Sequence, residues 1–207
     1  MGIKVNQETL QMIADLSNAK GASGFEDETV QAAAKHIGEG YTTEEDCLRN
    51  FYMYRTANSG NKPVFMLDAH SDEVGFMVHS IRPNGTLRFV ALGGWNVGSL
   101  ASSKVLVRNS EGKYLPGVIA AKPVHFMSAS EKASAGAADI SSLSIDIGAV
   151  SAKDAAENFK IRIGEPVVPD VTLEYDEEHD LMFGKAFDCR LGCASILRTP
   201  DNLRDKT

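Results

Sequence analysis

Between residues 73 and 168 the chain breaks into short runs of strand character, and this texture constrains the fold more than any other feature. Apolar residues cluster or alternate over strand lengths at 73–81, 86–92, 104–108, 114–121 and 143–147. Turn signals separate several of them, Pro-Asn-Gly at 83–85 and Ser-Glu-Gly at 110–112. Short strands at such spacing predict a small barrel or sandwich. The stretch 128–142, rich in Ser and Ala and without a clear period, reads as a mobile loop. Residues 151–159 then read as a helix capped by Ser151, with Asp154 three residues on in a weak capping box. Strand texture returns at 160–163 and 167–168, and again at 172–175 and 181–187.

The flanks read differently. Leu10, Ile13, Ala14 and Leu16 recur at near-helical spacing, and Asn6 or Thr9 suits the N-cap. The segment 21–25 (Gly-Ala-Ser-Gly-Phe) breaks the pattern, and Val30, Ala33, Ala34 and Ile37 resume it. After the polar linker 59–62, the continuous apolar run 64–67 (Val-Phe-Met-Leu) suits a strand covered on both faces. The predicted organisation is an α/β unit over 1–73, a largely β insertion over 74–168, and a return to the first unit over 169–207.

Composition narrows the function classes. With 21 Lys and Arg against 28 Asp and Glu, a net charge of -7 and no basic cluster, the chain offers no nucleic-acid surface, so the expected partners are small molecules, peptides or other subunits. Cys47, Cys189 and Cys193 form neither an even set nor a C-x-x-C pair, which fits a reducing compartment. The first residues mix Lys4, Glu8 and Asp15 among apolar positions, unlike a signal peptide, and no apolar run is long enough to span a bilayer. A cytoplasmic protein is expected.

Chemistry concentrates in two stretches. His70 and Asp72 stand two residues apart just after the apolar run 64–67, where ligand sites form in α/β sheets. A metal-binding histidine needs its ring oriented, and a nearby carboxylate can do that. The pair equally suits a satisfied histidine at a strand end. Asp188, after the apolar run 181–187 and ahead of a helix start, has the placement of a carboxylate bridging two metals. It equally suits a helix cap paired with Arg190.

Several short motifs occur together and in order: 23–26 (Ser-Gly-Phe-Glu), 69–76 (Ala-His-Ser-Asp-Glu-Val-Gly-Phe), 92–95 (Leu-Gly-Gly-Trp), 116–118 (Pro-Gly-Val), 123–125 (Pro-Val-His), 145–149 (Ile-Asp-Ile-Gly-Ala) and 185–190 (Lys-Ala-Phe-Asp-Cys-Arg). In these the chain, up to about Leu197, resembles the glutamyl and deblocking aminopeptidases that assemble as tetrahedral particles. The resemblance implies a zinc-exopeptidase-like mixed sheet with helices, interrupted by an inserted PDZ-like β-barrel domain. It implies metal-dependent removal of N-terminal residues from peptides, by a homo-oligomer holding two divalent ions, zinc or cobalt. Carried over by position, it makes His70 a terminal ligand of one metal, Asp188 the bridging carboxylate, and Asp72 the catalytic-site carboxylate that positions His70. His125 and Asp146 match barrel positions and receive no catalytic role.

The same family places a general-base glutamate, further acidic ligands and a final histidine beyond the bridging aspartate, whereas 189–207 contains no glutamate and no histidine. From Arg198 onward the segment is expected to abandon the helix, because Pro200 disfavours a helix interior. Two metals and a base are needed to activate water and polarise a carbonyl. The expectation is therefore an incomplete, inactive form that binds metal weakly or not at all. The alternative is a non-catalytic scaffold or subunit-interaction protein. A glycosidase needs two carboxylates facing across a cleft, and among 28 acidic residues such pairs arise too easily to support that reading.

Overall fold

The computed structural model describes residues 5–57, 60–61, 63–128 and 139–203. The chain divides into two compact units, Met1–Glu73 with Val171–Thr207, and Val74–Asp170.

In the first unit, α1 (Gln7–Asn18) starts where the Asn6 side chain accepts a hydrogen bond from the Thr9 amide at 2.8 Å. Its apolar stripe, Met12, Ile13 and Leu16, is buried against α2 (Asp27–Ala34) through Ala32 and against a C-terminal helix through Ala194 and Leu197. A hairpin of β1 (Tyr41–Glu45) and β2 (Phe51–Arg55) follows α2. It was missed at the sequence level, although Phe51, Tyr52 and Tyr54 carry the aromatic content that favours strands.

The expected strand at 64–67 is not formed. Val64, Phe65 and Met66 are 79, 87 and 74% exposed, and no described strand pairs with them. A strand exists by its ladder, and an apolar run without a neighbour stays uncovered.

In the second unit six strands close an antiparallel barrel: β3 (Gly75–Ile81), β4 (Leu87–Leu92), β5 (Lys104–Arg108), β6 (Tyr114–Ala120), β7 (Ser144–Asp146) and β8 (Pro166–Pro169), ordered β3-β4-β7-β6-β5-β8. Alternation fills the interior with Phe76, Val78, Leu87, Phe89, Val105, Val107, Ile119, Ile145 and Val167. Trp95 stacks on Phe76 at 4.7 Å between ring centroids and donates its indole N–H to the Gly75 carbonyl at 3.0 Å. The turn at Gly85 requires glycine: φ is +88°, and a Cβ there would stand 2.2 Å from the Ala149 carbonyl oxygen.

The predicted capped helix forms α3 (Ala152–Glu157), with Ser151 Oγ accepting from the Asp154 amide at 3.1 Å. The Asp154 carboxylate reaches back to the amide of Val150, one residue short of the box expected. Residues 160–163 do not form the expected strand. Ile161 is buried and its amide donates to Ala155, so the segment turns under α3 instead of joining a ladder. Most of the loop expected at 128–142 lies outside the described residues; 140–142 form a 3-10 turn.

Back in the first unit, β9 (Glu174–Asp176) and β10 (Leu181–Phe183) form a hairpin shorter than the runs expected. The last element, α4 (Phe187–Leu203), contains Pro200 and does not end at Arg198. A proline removes one intrahelical donor, a loss the helix tolerates here three residues from its end. Among the described residues, no helix is long and apolar enough to cross a membrane.

Candidate metal centre

The two chemistry-bearing stretches meet within the first unit. His70 Nε2 lies 3.1 Å from Asp188 Oδ1, although 118 residues separate them in sequence. The other ring nitrogen, Nδ1, lies 3.1 Å from Asp72 Oδ1. Asp72 in turn accepts the hydroxyl of Ser23, which comes from the turn between α1 and α2. All three predicted site residues are thus brought together, with His70 held between two carboxylates. The side chains of His70 and Asp188 are 56 and 95% exposed, so the site faces solvent.

Local backbone explains the placement of Asp188. Asp188 and Cys189 have non-helical dihedrals, φ -89° and ψ 107°, then φ -118° and ψ 30°. The regular helix therefore begins after Cys189, and both side chains project from its entry. Asp188 is not paired with Arg190, the alternative open at the sequence level.

Arg190 instead anchors the unit. It is buried, and its guanidinium donates to the carbonyls of Ser71 at 2.8 Å, Leu16 at 2.9 Å and Ala19 at 2.6 Å, and to Thr29 Oγ1 at 3.0 Å. One side chain thus ties the end of α1, helix α2 and the His70 segment to the start of α4. Beside it lies Glu73, also buried, whose Oε1 accepts from Lys185 Nζ at 2.7 Å and from the Gly21 amide at 3.1 Å and lies 3.6 Å from Arg190. The Ala22–Glu73 bridge and the bond from the Glu73 amide to the Gly21 carbonyl at 2.7 Å clamp the same strand of chain. Burial pushes the Lys185 ammonium below its ordinary value of 10.5, and Glu73 partly counters that. Glu73 Oε2 finds no hydrogen-bond partner among the described residues. Sequence reasoning missed this cluster, since charges at 73, 185 and 190 announce their pairing only once α4 folds back.

The sequence reading also passed over Cys189, weighing cysteines only as disulfide or structural-zinc candidates. A donor atom each of His70, Asp188 and Cys189 lies within 4.8 Å of the others. Imidazole nitrogen, carboxylate oxygen and thiol sulfur make a donor set that fits zinc or cobalt. Cys193, one helical turn on, directs its Sγ to the His70 carbonyl at 3.4 Å, and burial pushes its thiol up. His125 and Asp146 lie in the barrel unit; His125 is exposed in a 3-10 turn and Asp146 accepts from the Gly148 amide.

A unit of helices and short hairpins interrupted by a closed antiparallel barrel has the architecture of aminopeptidases of known structure. Among solved structures, a TET aminopeptidase from a marine sediment archaeon of the Thaumarchaeota matches with a TM-score of 0.87 and 30% identity, covering 97% of this chain and 55% of that one. The chain belongs to the M42 glutamyl aminopeptidase family, which matches residues 50–207. It is 32% identical to the glutamyl aminopeptidase of Lactococcus lactis over 200 residues, 96% of this chain and 56% of the relative. It is 31% identical to the putative aminopeptidase FrvX of Escherichia coli over 203 residues, 93% of this chain and 53% of the relative. The chain thus spans little more than half the length of the curated relatives it matches.

Proposed function

We propose that these 207 residues carry part of the two-metal centre of an aminopeptidase acting on peptide N-termini, with His70 and Asp188 as ligands and Asp72 as the carboxylate that positions His70. The observation that carries this reading is the 3.1 Å approach of His70 Nε2 to Asp188 Oδ1 across 118 residues. Asp72 Oδ1, 3.1 Å from Nδ1, orients the ring so that Nε2 faces the site. Divalent ions bound there would supply an activated water and polarise the scissile carbonyl. Glu73, Lys185 and Arg190 act behind this set, holding the segment 70–73 against the entry of α4.

Two ions need more ligands than His70, Asp188 and a neighbouring thiol provide. The reading therefore assigns these residues no complete two-ion centre and no turnover on their own. The residues flanking the barrel are assigned to the catalytic domain and the barrel to the insertion. Assembly into a homo-oligomer is part of the same proposal, in keeping with a Pyrococcus horikoshii TET1 peptidase of the same fold that can assemble into a tetrahedron or a large octahedral shell; a cytoplasmic location is proposed with it from the cysteine usage alone. A scaffold role is favoured by one observation, the uncovered apolar residues Val64, Phe65 and Met66.

Equilibrium dialysis against zinc separates these readings. The aminopeptidase reading expects binding that His70→Ala removes and Asp72→Asn weakens by about 10- to 100-fold. Binding unchanged in His70→Ala refutes the ligand assignment.

A further inference from the structure

The cluster ends in a sulfur that the two-metal reading does not use. We propose that His70, Asp188 and Cys189 form a site for a single thiophilic divalent ion of the zinc type. The inference rests on the reading of His70 and Asp188 as ligands and adds the third donor, the ion class and the stoichiometry.

Three observations carry it. The first is the placement of the His70 ring. Nδ1 lies 3.1 Å from an Asp72 oxygen, and Nε2 faces an Asp188 oxygen at 3.1 Å, so a ring nitrogen and a carboxylate oxygen are turned toward one another at the entry of α4. A divalent ion placed between them can take both as donors. The second is distance. Donors about 2.0–2.3 Å from a tetrahedral zinc stand roughly 3.3–3.6 Å apart. The nitrogen and oxygen here are at 3.1 Å, and the sulfur lies within 4.8 Å of both. Asp188 is exposed and Cys189 half-buried, so small side-chain rotations close the remaining gap.

The third is charge and softness. A carboxylate and a thiolate neutralise a divalent ion, where His70 and Asp188 alone leave a net positive charge. Thiolate favours zinc and its soft relatives over magnesium, manganese or calcium. Binding releases the thiol proton to solvent. The neighbouring Cys193 is not the donor, because its S–H is directed at the His70 carbonyl. Three protein ligands leave a fourth position for water, an open site of the catalytic kind.

The test is a cobalt titration of the whole chain, read as the thiolate-to-cobalt charge-transfer band in the near-ultraviolet, with zinc displacement and metal content per chain. One ion per chain and a band that survives Cys47→Ser and Cys193→Ser but disappears in Cys189→Ser are expected, with affinity at least about tenfold weaker in the last. Zinc should also protect Cys189 of the unaltered chain from alkylation while exposed Cys47 still reacts, a readout that does not depend on the folding of any variant. A band lost in Cys193→Ser instead, or absent protection of Cys189, overturns the proposal. Equal binding by the unaltered chain and Cys189→Ser, with binding abolished by His70→Ala, overturns the sulfur ligand and leaves the two-metal reading standing. Absence of any binding overturns both.

Discussion

Replacing Glu73 with glutamine removes the anion that stands between Lys185 and Arg190. Its Oε1 is 2.7 Å from Lys185 Nζ and 3.6 Å from Arg190, and all three side chains are buried. The amide keeps the shape and one acceptor, so packing and the Gly21 contact survive, but two adjacent cations lose their counter-charge. Breaking a buried pair in this way costs about 3–5 kcal/mol, a large part of the roughly 5–15 kcal/mol that holds a typical domain. For an m-value of about 2 kcal/mol/M, the urea midpoint should fall by on the order of 2 M. The chain reports its two units separately: α1, α2 and α4 dominate the far-ultraviolet circular dichroism, whereas Trp95, the single tryptophan, lies in the barrel unit. Glu73→Gln should move the dichroism transition and leave the fluorescence transition in place. The pH dependence adds an independent check. Lys185 is less basic folded than unfolded, so the unfolded state binds more protons and stability rises as pH climbs from the folded value toward 10.5. Without the opposing Glu73 charge the depression deepens, and the rise should begin at lower pH in the variant. A dichroism midpoint displaced by less than about 0.5 M, which is a loss of less than about 1 kcal/mol, refutes the buried-counterion reasoning.

Gly85→Ala forces a Cβ to 2.2 Å from the Ala149 oxygen at φ +88°, and the Trp95 fluorescence transition should fall by about 1–3 kcal/mol. Ile145→Val, at a fully buried barrel position, should lower the same transition by about 0.5–1.5 kcal/mol. Asn6→Ala removes the acceptor for the Thr9 amide, and urea denaturation followed by dichroism should show a loss of about 1 kcal/mol.

The barrel strands were legible because each carries its own signal: alternation at Leu87 and Phe89, a Pro-Asn-Gly turn, a β-branched pair at Val105 and Val107. The capping of α3 by Ser151 was legible for the same reason, being local, and for α1 the sequence offered Asn6 or Thr9, of which Asn6 is the cap. What failed was non-local. The run 64–67 has strand composition but no strand beside it among the described residues, and composition does not report a missing neighbour. The segment 160–163 reads as a strand, yet Ile161 is buried beneath α3, a contact invisible in a local window. At the site, His70, Asp72 and Asp188, which the structure brings together, were singled out through His-x-Asp after an apolar run and a family motif. Cys189 and the Glu73–Lys185–Arg190 cluster were not, since their meaning lies in what the fold places beside them.

The central claim, that these residues hold part of an aminopeptidase's metal centre and not the whole of it, is tested most directly by turnover. The purified 207-residue chain is assayed on aminoacyl substrates with zinc or cobalt added, beside the same chain extended by the C-terminal segment of a family relative. Background hydrolysis by the short chain, turnover by the extended one, and loss of that turnover in extended His70→Ala are expected. Robust metal-dependent hydrolysis by the short chain, removed by a chelator, would contradict the account and require that other residues complete the centre.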